Sequence, residues 1–291
     1  MKMLIIGASG LVGSNCQKHF SEQGHEVIGT HFSYPTADTV YYNTLNAQDE
    51  QNFDVQAFSP DVIVHCGALT HVDYCEEHPE ESYEKTVKST QAVVALAKAC
   101  SARMVYISTD YVFDGKNGPY RETAAVQPLS VYGRHKLEAE QLVLNNLADS
   151  LVLRVTNVYG DEARGKNFIA RIISQCEAGQ ALSLRLPYDQ YASPTNAWDI
   201  ARAMLLLLQN GHAGLFHIGG TDYMNRVELA MRILRYYPEA QYKLEALDTA
   251  RLQQAAPRPL LGGFVKEKFS SLFPEFIFGT VDEYVSQKAK K

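Results

Sequence analysis

Met1-Lys2-Met3-Leu4-Ile5-Ile6-Gly7-Ala8-Ser9-Gly10-Leu11-Val12-Gly13 is the stretch that decides the fold. A short apolar run, consistent with a buried strand, meets glycines spaced three apart and passes straight into residues at helical spacing (Leu11 to Phe20). A strand, a glycine turn and a helix in that order bring backbone amides and the positive end of the helix close to a pyrophosphate. The stretch therefore predicts a dinucleotide-binding βα unit.

The pattern repeats outward from this unit. Glu26 to Thr30, Asp61 to His65, Met104 to Ile107 and Leu151 to Arg154 read as further buried strands, and Glu81 to Cys100 and Val131 to Leu147 as the helices between them. Strand and helix alternating in this way imply an α/β fold, a Rossmann-type doubly wound parallel sheet. Residues 1–155 are expected to form the NAD(P)-binding domain. Residues 156–291, with helices at Phe168 to Glu177, Trp198 to Gln209 and Arg226 to Tyr236 and a strand at Leu215 to Ile218, form a smaller α/β substrate-binding region, some of whose segments return to the sheet. Trp198 is expected to pack its helix onto the sheet, and the Lys288 to Lys291 tail to fray.

Composition narrows the class. The 291 residues are 46% hydrophobic, enough for a packed core, and the net charge of −6 with no basic run argues against a nucleic-acid surface. Met3 to Ile6 is too short for a signal segment and no later run spans a bilayer. The five cysteines, odd in number and scattered, point to a reducing, cytoplasmic setting. His65, Cys66, His71, Cys75 and His78 are the densest set of metal-ligand types, yet their spacing matches no zinc module, so no metal is expected.

The chemistry is carried by Ser108-Thr109-Asp110-Tyr111-Val112-Phe113-Asp114-Gly115 and Tyr132-Gly133-Arg134-His135-Lys136. With 17 tyrosines in the chain, a Tyr-x-x-x-Lys pair is expected about once by chance. Tyr284 and Lys288 repeat the spacing with no strand or hydroxyl donor placed before them. Tyr132 lies near the start of a helix that follows a strand ending at Ser108-Thr109, and Lys136 falls on its face of the helix. Hydride arriving at a ketone leaves charge on oxygen, which a hydroxyl such as Thr109 stabilises and an acid such as Tyr132 protonates. The Lys136 ammonium is expected to draw the phenol pKa down towards neutrality.

These blocks, with Thr70-His71-Val72-Asp73, Asp189-Gln190-Tyr191-Ala192-Ser193-Pro194-Thr195 and Arg258-Pro259, give the chain a resemblance to the dTDP-4-dehydrorhamnose reductases, a branch of the extended short-chain dehydrogenases, over nearly its whole length. The Gly-x-x-Gly-x-x-Gly spacing is also of the short-chain dehydrogenase form. The resemblance implies Thr109, Tyr132 and Lys136 as the catalytic trio. It implies a coenzyme site made of Gly7, Ser9, Gly10, Leu11, Val12, Gly13, Thr30, His31, Cys66, Gly67, Ala68, Leu69 and Thr70 together with Tyr132 and Lys136. A nucleotide sugar would meet Val72, Asp110, Asn157, Gln190 and Arg258; Arg258 reads either as a bidentate partner of the diphosphate, the favoured reading, or as a turn residue held before Pro259. A homodimer is implied as well.

Two departures fall in the substrate region. Asn157 stands where the family has tryptophan, and Leu260-Leu261-Gly262-Gly263 follows Arg258-Pro259 where the family places Asn and Ser. The end of the second strand, Gly29-Thr30-His31-Phe32-Ser33, carries neither the carboxylate that binds NAD ribose nor an arginine for NADP; the missing carboxylate favours NADPH over NADH. The implied activity is reduction of a 4-keto nucleotide sugar. The alternatives are a non-catalytic coenzyme-binding subunit similar to the β subunit of methionine adenosyltransferase, which resembles the same family, and a sugar-nucleotide epimerase.

Overall fold

The computed structural model describes residues 1–290. Six strands, β1 (Lys2–Ile6), β2 (Glu26–His31), β3 (Thr39–Tyr41), β4 (Val62–His65), β5 (Arg103–Thr109) and β6 (Leu151–Val155), join Gly214–His217 in one sheet. Its order is β3, β2, β1, β4, β5, β6, then Gly214–His217, and every pairing is parallel. Parallel strands are covered on both faces, which is why the four residues of β4 and the five of β6 are all buried.

Alternation along each strand sends neighbouring side chains to opposite layers. Met3, Ile5, Val64, Val105, Ile107 and Leu153 pack with Cys16 and Phe20 of the helix Leu11–Glu22 and with the helix Ala197–Gln209. Leu4, Ile6, Ile63, Met104, Tyr106 and Val152 pack with the helices Ser89–Ala99 and Val131–Asn146. Both the helix Ala197–Gln209 and the strand after it come from the later half of the chain, so that half helps to build the first sheet.

A third cluster lies apart from it. The helices Phe168–Glu177, Arg226–Leu234 and Val281–Ala289 bury Ile169, Ile173, Leu229, Ile233, Val281 and Val285 together, beside the parallel pair Leu182–Pro187 and Tyr242–Leu247. The strand Tyr242–Leu247 escapes a reading by hydrophobic run because only Leu247 of its six residues is buried.

Three local expectations are corrected. The helix read as Glu81 to Cys100 runs from Pro79 with a π-helical turn at Glu84–Lys88, where one extra residue per turn rotates the faces before and after it. Trp198 packs on a helix rather than on the sheet: its ring lies edge-on to His19 at 5.0 Å, with the Lys18 ammonium 5.5 Å away. The C-terminal tail is folded through Ala289, because Thr280 and Glu283 form a capping box and Lys288 and Tyr284 both bond Asp161; Lys291 lies outside the described residues.

Candidate active site

Sheet order reverses between β1 and β4, and the crevice beyond the carboxyl ends of two such strands is where open α/β sheets bind ligands. Gly7 and Gly67 stand at those ends. A side chain on Gly7 would come within 3.0 Å of the Gly67 nitrogen, and one on Gly13 within 2.4 Å of the Gly7 carbonyl, so this glycine cradle admits backbone where any other residue would fill it. Gly10 precedes the helix Leu11–Glu22 and offers no side-chain cap, which leaves the first-turn amides for an anion. The loop from Cys66 to Thr70 is fastened through Leu69, whose N–H donates to Thr86 Oγ1 (3.4 Å) and whose carbonyl accepts from the Cys75 thiol. At the end of β2 the Thr30 hydroxyl is buried without a partner, and His31 Nδ1 lies 2.9 Å from Thr39 Oγ1. Beyond them, the Arg164 guanidinium, brought from far along the chain, sits 5.3 Å over the Tyr34 ring. These residues fit a dinucleotide.

The expected trio gathers at the end of β5. The Thr109 hydroxyl donates to Asp110 Oδ1 (3.3 Å), accepts from Tyr111 N–H at 3.2 Å and is near enough to Tyr132 to act on its phenol. Tyr111 packs edge-on against Tyr132, with ring centroids 5.5 Å apart. Gly133 makes this approach possible, since a side chain there would stand 2.3 Å from the Tyr111 carbonyl. Lys136 is buried; its Nζ donates to the Ile107 carbonyl (2.5 Å) and lies 4.1 Å over the Tyr106 ring.

One electrostatic expectation is corrected. Burial raises the Tyr132 pKa, with only the neighbouring Thr109 hydroxyl working the other way, so the phenol holds its proton firmly. Burial also brings the Lys136 ammonium down to about 7, against smaller opposing effects of Cys66 and Glu140. Desolvation in the dry site is the largest cause of both shifts.

Beneath the trio lies a network that the sequence reading missed. Tyr132, Lys136 and Glu140 share one helix face, and Glu140 receives two bonds from Arg154 of β6 (3.0 and 2.5 Å) and one from the Ser108 hydroxyl (2.8 Å). Arg154 Nη1 lies 3.3 Å from His217 Nε2, and His217 Nδ1 lies 3.0 Å from the Tyr120 carbonyl. The i, i+4, i+8 spacing was the available signal.

Two buried imidazoles make stability depend on pH. His65, whose ring nitrogens have no partner, and His217 are both held down to about 3 by burial, reinforced by Lys136 and Arg154 respectively. Above pH 6.5 neither state is protonated at these sites and stability is at its full value. Below it the unfolded chain takes up protons that the folded chain refuses, so stability falls towards pH 3, by about 2 kcal/mol per imidazole at pH 5. Urea unfolding at pH 7.5 and 5.0 is expected to show this loss, and a His65→Asn variant to show about half of it; an unchanged midpoint would contradict the assignment.

On the substrate side the expected residues are in different situations. Val72 opens the helix Val72–Glu77. The Asp110 carboxylate is buried, bonded by Thr156 Oγ1 (2.5 Å) and Gly263 N–H (3.2 Å), and burial raises its pKa. Arg258 is already held: it donates to Asp73 (2.7 Å) and to the Ala256 carbonyl (2.9 Å). The Gln190 amide is engaged by Thr249 and Gln254. Asn157 accepts from Arg226 at 2.6 Å, a partner 69 positions away that no local pattern announces.

The cysteine and histidine set is dispersed. His71 caps the helix Val72–Glu77 by accepting from Tyr74 N–H (3.1 Å), and His78 stacks on the Tyr74 ring at 4.0 Å. No group of three or more His, Cys, Asp or Glu suited to a metal stands together among the described residues. No helix is long and apolar enough to cross a membrane among them.

Known proteins resemble this arrangement. The RmlD substrate binding domain family matches residues 1–276. Methionine adenosyltransferase 2 subunit beta of Xenopus tropicalis is 33% identical over 233 residues, 78% of this chain and 70% of that protein. The probable low-salt glycan biosynthesis reductase Agl14 of Haloferax volcanii is 32% identical over 270 residues, 89% of this chain and 88% of that one. In fold, the crystal structure of dTDP-4-dehydrorhamnose reductase from Bacillus anthracis in complex with NADP has a TM-score of 0.86 at 24% identity, covering 98% of this chain and 97% of that one. The chain belongs to the RmlD substrate binding domain family, the NAD(P)-dependent oxidoreductases of the dTDP-4-dehydrorhamnose reductase type.

Proposed function

We propose that this protein reduces the ketone of a nucleotide-linked sugar with NADPH, with dTDP-4-dehydrorhamnose the first substrate to try and dTDP-rhamnose its product. The observation that carries the reading is Tyr132, packed on Tyr111 beside the Thr109 hydroxyl at the end of β5, with buried Lys136 one helical turn along and a glycine cradle at the end of β1 in the same sheet.

The glycine loop and the Cys66 to Thr70 loop would hold the coenzyme, which when bound supplies the hydride. The chain supplies the rest. Tyr132, kept protonated by burial, gives its proton to the carbonyl oxygen as charge builds there, and Thr109 donates a hydrogen bond to the same region. Lys136 lies one turn along the same helix, its buried ammonium held by the Ile107 carbonyl. Removing water from the site strengthens each of these interactions.

NADPH is favoured because no carboxylate closes β2 and because Arg164 lies just beyond it. An arginine there binds a 2′-phosphate by charge-assisted bonds. The test is oxidation of NADPH and of NADH by purified protein with a panel of keto-sugar nucleotides. Turnover with NADPH is expected, and Arg164→Ala is expected to raise KM for NADPH by about tenfold while leaving NADH unchanged. A wild-type preference for NADH would overturn the coenzyme choice.

The identity to methionine adenosyltransferase 2 subunit beta favours one second reading, a coenzyme-binding subunit without turnover of its own. Coenzyme binding with no turnover on any keto sugar would select it. The five free cysteines are consistent with the cytoplasm as the setting.

A further inference from the structure

Four arginines among the described residues, Arg164, Arg171, Arg226 and Arg251, have no carboxylate within ion-pair distance. Arg164, Arg171 and Arg251 are exposed; Arg226 alone is partly buried. Desolvating a guanidinium is costly unless an opposite charge meets it. Its place in the chain adds to the cost, because Arg226 is the first residue of the helix Arg226–Leu234, where the backbone dipole already favours an anion. The one carboxylate of that turn, Glu228, accepts from Asn225 N–H in the capping box. The contacts of Arg226 are neutral, the Asn157 amide oxygen at 2.6 Å and the Phe168 ring at 5.0 Å, and the buried Asp110 carboxylate acts on it only from beyond ion-pair distance. Asn157 has a left-handed backbone, φ +41°, at the end of the segment that leaves β6.

Arg226 acts at a distance on the Tyr111 phenol, which stands against Tyr132, and on Asp110, and Arg171 adds positive charge nearby. Arg258, the cation expected for this role, already has Asp73. We infer that Arg226, held by Asn157, receives an oxyanion of the nucleotide-sugar substrate. The oxyanion is the diphosphate linker or a carboxylate on the sugar. Asn157 thus has a reason to replace a tryptophan: it fixes a cation where an aromatic ring would only pack. The inference rests on the sugar-nucleotide reading and narrows it.

Binding of dTDP, dTDP-glucose, UDP-glucose and UDP-glucuronate to protein saturated with NADP+ tests it, measured by calorimetry on wild type, Arg226→Gln and Asn157→Asp. The aspartate supplies the missing carboxylate and suits a left-handed backbone, so that variant keeps the fold while neutralising the guanidinium. Both variants are expected to lose about tenfold or more in affinity. Equal loss across all four ligands assigns the diphosphate, and loss confined to UDP-glucuronate assigns a sugar carboxylate. Wild-type affinities in both variants would overturn the inference, as would a wild type that binds none of the four. Wild type that binds these ligands but reduces no keto sugar would sink the reductase reading and leave the anion site standing.

Discussion

Replacing Tyr132 by phenylalanine is expected to lower kcat by about 10²- to 10⁴-fold, the usual contribution of a positioned general acid. KM for the coenzyme should move little, because the glycine cradle and the first-turn amides of the helix Leu11–Glu22 are untouched. The substitution removes one oxygen from a ring whose packing on Tyr111 it preserves, so a loss of turnover reads out proton delivery rather than a collapsed site. Steady-state kinetics with coenzyme binding by fluorescence quenching separates the two. Turnover within tenfold of wild type would remove Tyr132 from the reaction and, with it, the single-acid mechanism.

The second large effect is on stability. Glu140 and Arg154 are each only 3% exposed in their side chains and are joined by two hydrogen bonds. Glu140→Gln leaves the guanidinium buried without its counter-charge, and breaking a buried pair from one side costs about 3–5 kcal/mol. The double variant Glu140→Leu, Arg154→Leu removes both charges and should recover much of that loss, since apolar replacements of buried pairs are often near neutral. Chemical unfolding of the two variants beside wild type decides the matter; equal stability of Glu140→Gln and wild type would show that the pair is not desolvated. Because Glu140 lies one helical turn beyond Lys136, the pair also fixes how deeply the helix bearing Tyr132 and Lys136 sits against β5 and β6.

These effects arise at different distances from what a linear reading can see. The glycine loop, the strands of the sheet and the helix bearing Tyr132 and Lys136 follow from spacing within about twenty residues, where apolar period and turn chemistry are local properties. The capping roles of His71 and of Thr280 with Glu283 were not read, although side-chain caps too are local. The Glu140 and Arg154 pair was half legible: the helix face was visible, but its partner strand becomes a neighbour only when β5 and β6 pair. Arg258 and Arg226 exchanged parts because sequence gives a residue's charge without its company. Asp73 reaches Arg258 across 185 positions, whereas Arg226 touches the neutral Asn157 and Phe168 and no carboxylate among the described residues pairs with it.

By itself the sequence determined a parallel sheet, a dinucleotide cradle and an acid placed one helical turn from an amine, because each depends on the period of neighbouring residues. Tertiary structure alone decided which charges are neutralised, how far burial moves the pKa values of Tyr132 and Lys136, and which arginine is left for a substrate. The reason is physical: desolvation and Coulomb energy depend on separation in space and on exclusion of water, and chain order fixes neither.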